Sequence, residues 1–246
     1  MYTSHHLPWG KAHRLVRLKS ANKFFFIIAL DHGLSLGPIM EISKWVTFAE
    51  RHGIPAAVVN PGALQQIPPE SRISVVLQTF GLPGPGSKIP ICTIDNALYS
   101  AADAISVQMN VDDFTSPTLL EKVCNVISQA TTASLPVLCM INVPASHQFT
   151  AEAYCKILRA CTEMGVDIVK LPLPWESLST ENRQIIAATI STSAPVVFPG
   201  GAVSDRFHTE LSKAVEVGYS GVCVGRQIFN SAEAVAVVNG IKNLFS

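Results

Sequence analysis

Val166-Asp-Ile-Val-Lys-Leu-Pro-Leu-Pro174 is a short apolar, β-branched run that ends in a lysine and two prolines. A run of this kind suits a strand buried on both faces. The Pro-Leu-Pro that follows keeps the chain extended and its loop stiff. Seven comparable runs accompany it: Phe24–Asp31, Ala56–Asn60, Ile89–Asp95, Ala104–Asn110, Pro136–Val143, Pro195–Gly200 and Gly221–Gly225. Amphipathic segments fall between most of them. Glu41–His52 has apolar residues at helical spacing, Ser116–Ala133 opens with Ser-Pro, and Ala151–Met164 ends at Gly165. The gap between the third and fourth runs leaves room for a helical stub alone, and Gly81–Ser87 is a turn cluster before the third run. Eight strand–helix units predict an α/β fold, a TIM (β/α)8 barrel. We assign 1–246 to a single domain, with 1–22 as an N-terminal extension covering the barrel.

Composition bounds the function. The 246 residues are 48% hydrophobic and 15% charged, with 18 basic and 18 acidic side chains. Zero net charge and no basic block argue against a nucleic acid or an anionic membrane as partner. So few charges leave much apolar surface to cover, which favours a homo-oligomer. The six cysteines show neither CxxC nor metal-ligand spacing and read as small buried hydrophobes in a reducing compartment. The longest apolar stretch, Phe24–Leu30, is too short to span a bilayer, and Met1–His6 lacks a signal-peptide pattern. The expected location is the cytoplasm.

In such a barrel, functional side chains collect at the C-terminal ends of strands. These ends are Asp31-His32, Asn60, Asp95, Gln108 with Asn110, Asn142, Lys170, Gly200-Gly201, and Gly225-Arg226. A lysine facing the barrel mouth leaves water, which favours the neutral, nucleophilic amine. The competing reading is a structural, ion-paired lysine. Asp31 across the barrel is a candidate to carry protons during carbinolamine formation and dehydration, although an aspartate there also serves as a helix cap. His32 suits loop orientation or a substrate hydroxyl. Gly200, Gly201, Gly225 and Arg226, with Ser204, follow the last two strands, where this fold commonly binds phosphate. No GxGxxG follows the first strand, and no histidine cluster with metal-ligand spacing appears, so neither a dinucleotide nor a metal is expected.

These residues have a familiar arrangement. Gly10-Lys11…Arg14-Leu15…Arg17 with Ala29-Leu-Asp-His-Gly-Leu-Ser-Leu-Gly-Pro-Ile39 resembles the opening of the DeoC/FbaB-type class I aldolases. Within that group the nearest likeness is to archaeal-type fructose-bisphosphate aldolase and aminodideoxyheptulosonate synthase. Ala102–Asn110, Gly165–Lys170, Pro199–Asp205 and Gly218–Asn230 look like that family's fourth strand, Schiff-base strand and phosphate-binding end, in order. The resemblance implies a Schiff base on Lys170, acid/base work by Asp31, and no metal or other cofactor. It further implies a phosphorylated keto substrate, with or without an aldehyde acceptor, and a homo-oligomer, pentameric or decameric.

The chain departs from the family after strand five, where relatives carry a tyrosine that donates a proton. Here the sequence is Met140-Ile-Asn-Val-Pro-Ala-Ser146. Asn142 hydrogen-bonds but is no donor of comparable acidity. His147 is the candidate replacement, and Asp95 a weaker one at the substrate hydroxyl. Gln108 stands where relatives tend to have histidine, and Gln227 and Asn230 exchange the usual order. The leading expectation is a lysine-dependent aldolase or transaldolase. The alternatives are a retro-Claisen, thiolase-type enzyme on the same barrel and a catalytically silent phosphate-binding barrel.

Overall fold

In the computed structural model the described residues are 7–33, 41–81, 88–144 and 147–246. Residues 82–87 of the expected turn cluster, 34–39 of the opening motif, and Met1–His6 lie outside them. Eight parallel strands close into a barrel: β1 Phe25–Ala29, β2 Ala56–Val59, β3 Ser74–Gln78, β4 Ala104–Asn110, β5 Val137–Asn142, β6 Ile168–Lys170, β7 Val196–Pro199 and β8 Gly221–Val224. Each strand pairs with its neighbours in sequence, and β1 closes on β8 with Phe25 opposite Gly221. The helices are α1 Trp9–Arg17, α2 Ile42–Arg51, α3 Ile94–Tyr99, α4 Pro117–Thr132, α5 Ala151–Glu163, α6 Thr180–Ser191, α7 Phe207–Glu216, α8 Arg226–Phe229 and α9 Ala234–Leu244. Among the described residues, no helix is long and apolar enough to cross a membrane.

One strand differs from expectation. Ser74–Gln78, not Ile89–Asp95, is β3. Pro90 explains why: it has no N–H to give a central ladder, so Ile89–Pro90 instead forms the edge of a two-stranded antiparallel ribbon with Phe80–Gly81. Thr93 then ends extended structure by accepting a hydrogen bond from the Asn96 N–H, which starts the short helix α3. The helical stub is present, between the true β3 and β4.

Strand alternation sorts the core into two shells. Phe25, Ile27 and Ala29 of β1 point inward with Ala56, Val58, Val76, Ala104, Leu138, Met140, Ile168, Val197 and Cys223. Their alternates, such as Phe26, Ile28, Val59, Leu77 and Val169, pack against the helices. At the N-terminal end of the barrel, fully buried Leu18 joins the inner shell. Lys11 Nζ pairs with Asp167 at 2.8 Å just before β6, and Arg17 with Asp103 at 2.7 Å just before β4. Burial pushes the Asp167 carboxyl upward while Lys11 holds it down. The inner shell and α1 thus fill that end of the barrel and leave its other end for chemistry.

A buried tyrosine pair fixes the exit from β6. Tyr219 donates from its hydroxyl to the Leu171 carbonyl at 2.9 Å, and Tyr154 donates to Tyr219 at 3.1 Å. Burial raises the phenol pKa of both. Tyr219→Phe leaves the Leu171 carbonyl and the Tyr154 hydroxyl without this partner. The expected cost is about 1–3 kcal/mol. It should appear as a lower urea midpoint with an unchanged slope.

Candidate active site

Two residues beyond the last inward apolar position, each strand presents its mouth residue. This step leads from Ala29 to Asp31, Val76 to Gln78, Met140 to Asn142, Ile168 to Lys170, Val197 to Pro199 and Cys223 to Gly225. The same alternation carries Ala104 through Ser106 to Gln108. Asp31, His32, Gln108, Asn142, Lys170, Gly200, Gly201, Gly225 and Arg226 therefore line one cavity of about 440 Å³. Lys88, Met140, Pro199 and Cys223 complete much of its wall.

Lys170 has no carboxylate within 4.0 Å among the described residues. Its Nζ instead lies 3.8 Å from Met140 Sδ and within hydrogen-bonding reach of the buried Cys223 thiol. Burial pushes that thiol's pKa up, while Lys170 opposes the rise. The amine thus faces the cavity beside two sulfur atoms, with no ion-pair partner among the described residues.

Asp31 is held by side-chain amides. Its Oδ2 accepts from Gln108 Nε2 at 2.9 Å and from Gln78 Nε2 at 3.5 Å. The Gln78 carbonyl oxygen in turn accepts from the Ser106 hydroxyl. Asn60 Nδ2 donates to the Asp31 backbone carbonyl at 2.8 Å, so strands β2, β3 and β4 all position this residue. Asp31 Oδ1 faces His32 Nδ1 at 3.8 Å.

Burial lowers the His32 pKa from the ordinary 6.5, and the neighbouring Lys170 and Arg226 push it the same way. Asp31 and a hydrogen bond to the Ala29 backbone oppose them without reversing the direction. The imidazole is therefore neutral at pH 7. Because its folded pKa lies below the unfolded one, its contribution to stability is present above 6.5 and is lost as pH falls through the folded value. In Lys170→Met one depressing charge is gone, so the His32 titration followed by NMR should move upward, toward 6.5.

The glycines have separable reasons. A Cβ on Gly225 would meet the Ala29 carbonyl and come within 2.6 Å of His32 Cε1, so only glycine lets β8 pass the Asp31-His32 corner. Gly201 sits at φ +62, where other residues are strained. Gln227, buried under this loop, donates from Nε2 to the carbonyls of Gly200 (2.8 Å) and Ala202. That accounts for glutamine at this place in the sequence: it ties the loop after β7 to the start of α8.

Three expected site residues stand elsewhere. Asp95 is exposed on the first turn of α3, a consequence of the reassigned third strand. His147 Nδ1 faces Asp112 at 3.3 Å, in an outer groove between α4 and α5 rather than in the cavity. Ser204 is exposed, and its hydroxyl accepts the Arg206 N–H at 3.1 Å to shape the turn before α7. Gln78, Met140, Cys223 and Lys88 are the lining or supporting groups that the sequence reading missed. Counting by twos from each inward residue would have found the first three.

Among the described residues, no group of three or more His, Cys, Asp or Glu side chains is placed to hold a metal ion. The arrangement offers a primary amine, an anchored carboxylate, an imidazole and a glycine-rich, basic rim.

Known proteins share this architecture. The chain is 28% identical over 244 residues to a 2-amino-3,7-dideoxy-D-threo-hept-6-ulosonate synthase of Halobacterium salinarum, covering 94% of this chain and 90% of the relative. It is 24% identical over 252 residues to a 3-hydroxy-5-phosphonooxypentane-2,4-dione thiolase of Enterobacter, covering 97% and 82%. A solved Schiff-base-forming fructose-1,6-bisphosphate aldolase superposes with a TM-score of 0.81 at 17% identity, over 96% of this chain and all of the other, and so shares its fold. The family model described as DeoC/LacD family aldolase matches residues 25–231, from β1 through α8, and the chain belongs to that family.

Proposed function

We propose that the protein is a class I aldolase or transaldolase that makes or breaks a C–C bond in a phosphorylated keto compound through a Schiff base on Lys170. The observation that carries this is the placement of Lys170 in the mouth, free of any carboxylate partner among the described residues, in a cavity shared with Asp31 and His32. The Lys170 amine attacks the ketone carbon. Asp31 delivers and removes the protons that turn the carbinolamine into an iminium with loss of water. In the cleavage direction, a base takes the proton of the hydroxyl two carbons away from the iminium carbon. The bond between that hydroxyl-bearing carbon and the carbon next to the iminium carbon breaks, its electrons enter the iminium to form an enamine, and an aldehyde leaves. Protonation of the enamine carbon and hydrolysis return the lysine.

The tyrosine expected after strand five is replaced by Asn142, and His147 faces the outer groove. Of the groups that line the cavity, the neutral His32 beside Asp31 is best suited to the hydroxyl proton. Gly200, Gly201 and Arg226 supply the phosphate end, where the buried Arg226 Nε has no hydrogen-bond partner among the described residues. The Enterobacter relative's name keeps a retro-Claisen cleavage as the second reading, with Asn142 polarising a second carbonyl instead of a hydroxyl.

Incubation with dihydroxyacetone phosphate in D₂O, followed by proton NMR, tests the reading. Enamine formation exchanges one hydrogen on the carbon beside the carbonyl, and EDTA leaves the rate unchanged. A wild-type protein that binds the ketone yet exchanges nothing would reject it for this donor.

A further inference from the structure

The barrel interior holds a buried polar chain whose far end the mechanism leaves unused. Ser106 of β4 sits opposite Gln78 of β3 in the parallel register. Both side chains are buried, with Ser106 at 0% exposure. The Ser106 hydroxyl donates to Gln78 Oε1, which turns Gln78 Nε2 toward Asp31 Oδ2 at 3.5 Å. Gln108 Nε2 donates to the same oxygen at 2.9 Å. The backbone holds the serine in place. Its carbonyl accepts from the Thr79 N–H at 2.9 Å and from the Thr79 hydroxyl at 2.8 Å.

A glutamine amide keeps nearly the same shape when its oxygen and nitrogen exchange places, so its partners set which end faces Asp31. An ionised Asp31 selects the N–H end by itself. The proposed chemistry also passes through the protonated acid, and in that state the carboxyl no longer enforces the choice. A flipped Gln78 would then accept a proton held on Oδ2 and stabilise it there, away from the reacting atoms. Ser106 opposes the flip, because its O–H donates to Oε1 and a turned amide would take that acceptor away inside a buried site.

The other oxygen, Oδ1, lies 3.8 Å from His32 Nδ1. The charged and titratable groups that share the cavity with Asp31 are His32 after β1, Lys88 on the segment after β3, Lys170 on β6, and Cys223 and Arg226 on and after β8. From β2, β3 and β4 the groups that reach Asp31 are the uncharged Asn60, Gln78 and Gln108.

We infer that Ser106 is a positioning residue that acts through Gln78. By locking the amide with its N–H end toward Asp31, it closes Oδ2 to protons and leaves Oδ1 to carry them. An amide pair suits this task, since neither glutamine takes up the proton itself. The inference rests on the proposed function for what that proton does.

The pH profile of deuterium exchange into dihydroxyacetone phosphate reads the lock. In Ser106→Ala the acid form gains a hydrogen bond to the flipped amide, so the acid limb should move up by ~0.5–1 pH unit. Ketone affinity should stay within about two-fold of the wild type. Ser106→Thr keeps the hydroxyl and should keep the wild-type limb. Gln78→Met removes the amide, so adding Ser106→Ala to it should move the limb no further. An unmoved limb in Ser106→Ala, or an equal move in the Gln78→Met background, would overturn the role. NMR of the Gln78 side-chain amide makes the same test without turnover. Lowering the pH should switch its signals to a second set in Ser106→Ala and leave a single set in the wild type. The same behaviour in both proteins overturns the lock. A wild type that exchanges no deuterium counts against the Schiff-base reading alone, and the amide signals then decide on Ser106.

Discussion

Lys170→Met should reduce C–C bond turnover and ketone deuterium exchange to the uncatalysed background while leaving the protein folded. Methionine keeps an unbranched side chain but has no nitrogen to attack a carbonyl, so the covalent route disappears instead of slowing. The surroundings accept the change. Lys170 Nζ has Met140 Sδ at 3.8 Å and the Cys223 thiol beside it, and no described carboxylate loses an ion-pair partner. Thermal stability should therefore be unchanged or higher. Lys170→Arg is the companion variant: it keeps a positive charge but is not a nucleophile, so it too should be inactive. Residual turnover in either variant above a few per cent would mean that the lysine only binds substrate.

Asp31→Asn should lower kcat by ~10²–10⁴-fold, the usual cost of losing a positioned proton carrier. The substitution preserves shape, and the asparagine carbonyl oxygen can still accept the amide hydrogen bonds of Gln108 and Gln78. KM should hence change little. What is lost is the ability to take up and release a proton beside the Schiff-base nitrogen. The carbinolamine should then become slower to dehydrate than to form. A matching fall in kcat and rise in KM would instead indicate a collapsed mouth. Monitoring both parameters separates the two.

Much of the barrel was readable because buried parallel strands impose continuous apolar runs, and seven of the eight runs coincide with observed strands. The exception is instructive. Ile89–Asp95 has the composition of a strand and a polar end, but Pro90 denies it a place in the barrel, whereas Ser74–Gln78 was passed over. That shift moved the strand-three mouth residue from Asp95 to Gln78. Lys170, Asp31 and Gln108 were legible from alternation alone, since each lies an even number of residues past an inward apolar side chain. His147 and Ser204 were not, because a loop side chain's direction is set by tertiary partners, here Asp112 and the Arg206 N–H. Lys88 was also hidden: it precedes a two-residue strand that only the folded ribbon makes visible.

Family membership fixes the scaffold and leaves the chemistry to these side chains. The mouth sets a lysine without a carboxylate partner among the described residues and a carboxylate gripped by amides on different strands. In the proposed reaction, Asn142 in place of an acidic hydroxyl leaves the remaining proton transfer to His32, whose pKa burial lowers from the ordinary value.

Borohydride reduction in the presence of dihydroxyacetone phosphate, and separately of fructose 1,6-bisphosphate, followed by peptide mass spectrometry, tests the central claim most directly. The account predicts a reduced, secondary-amine adduct on the peptide that carries Lys170, absent without ketone and absent in Lys170→Met. Binding of either ligand with no adduct, or an adduct on Lys88 in place of Lys170, would contradict it.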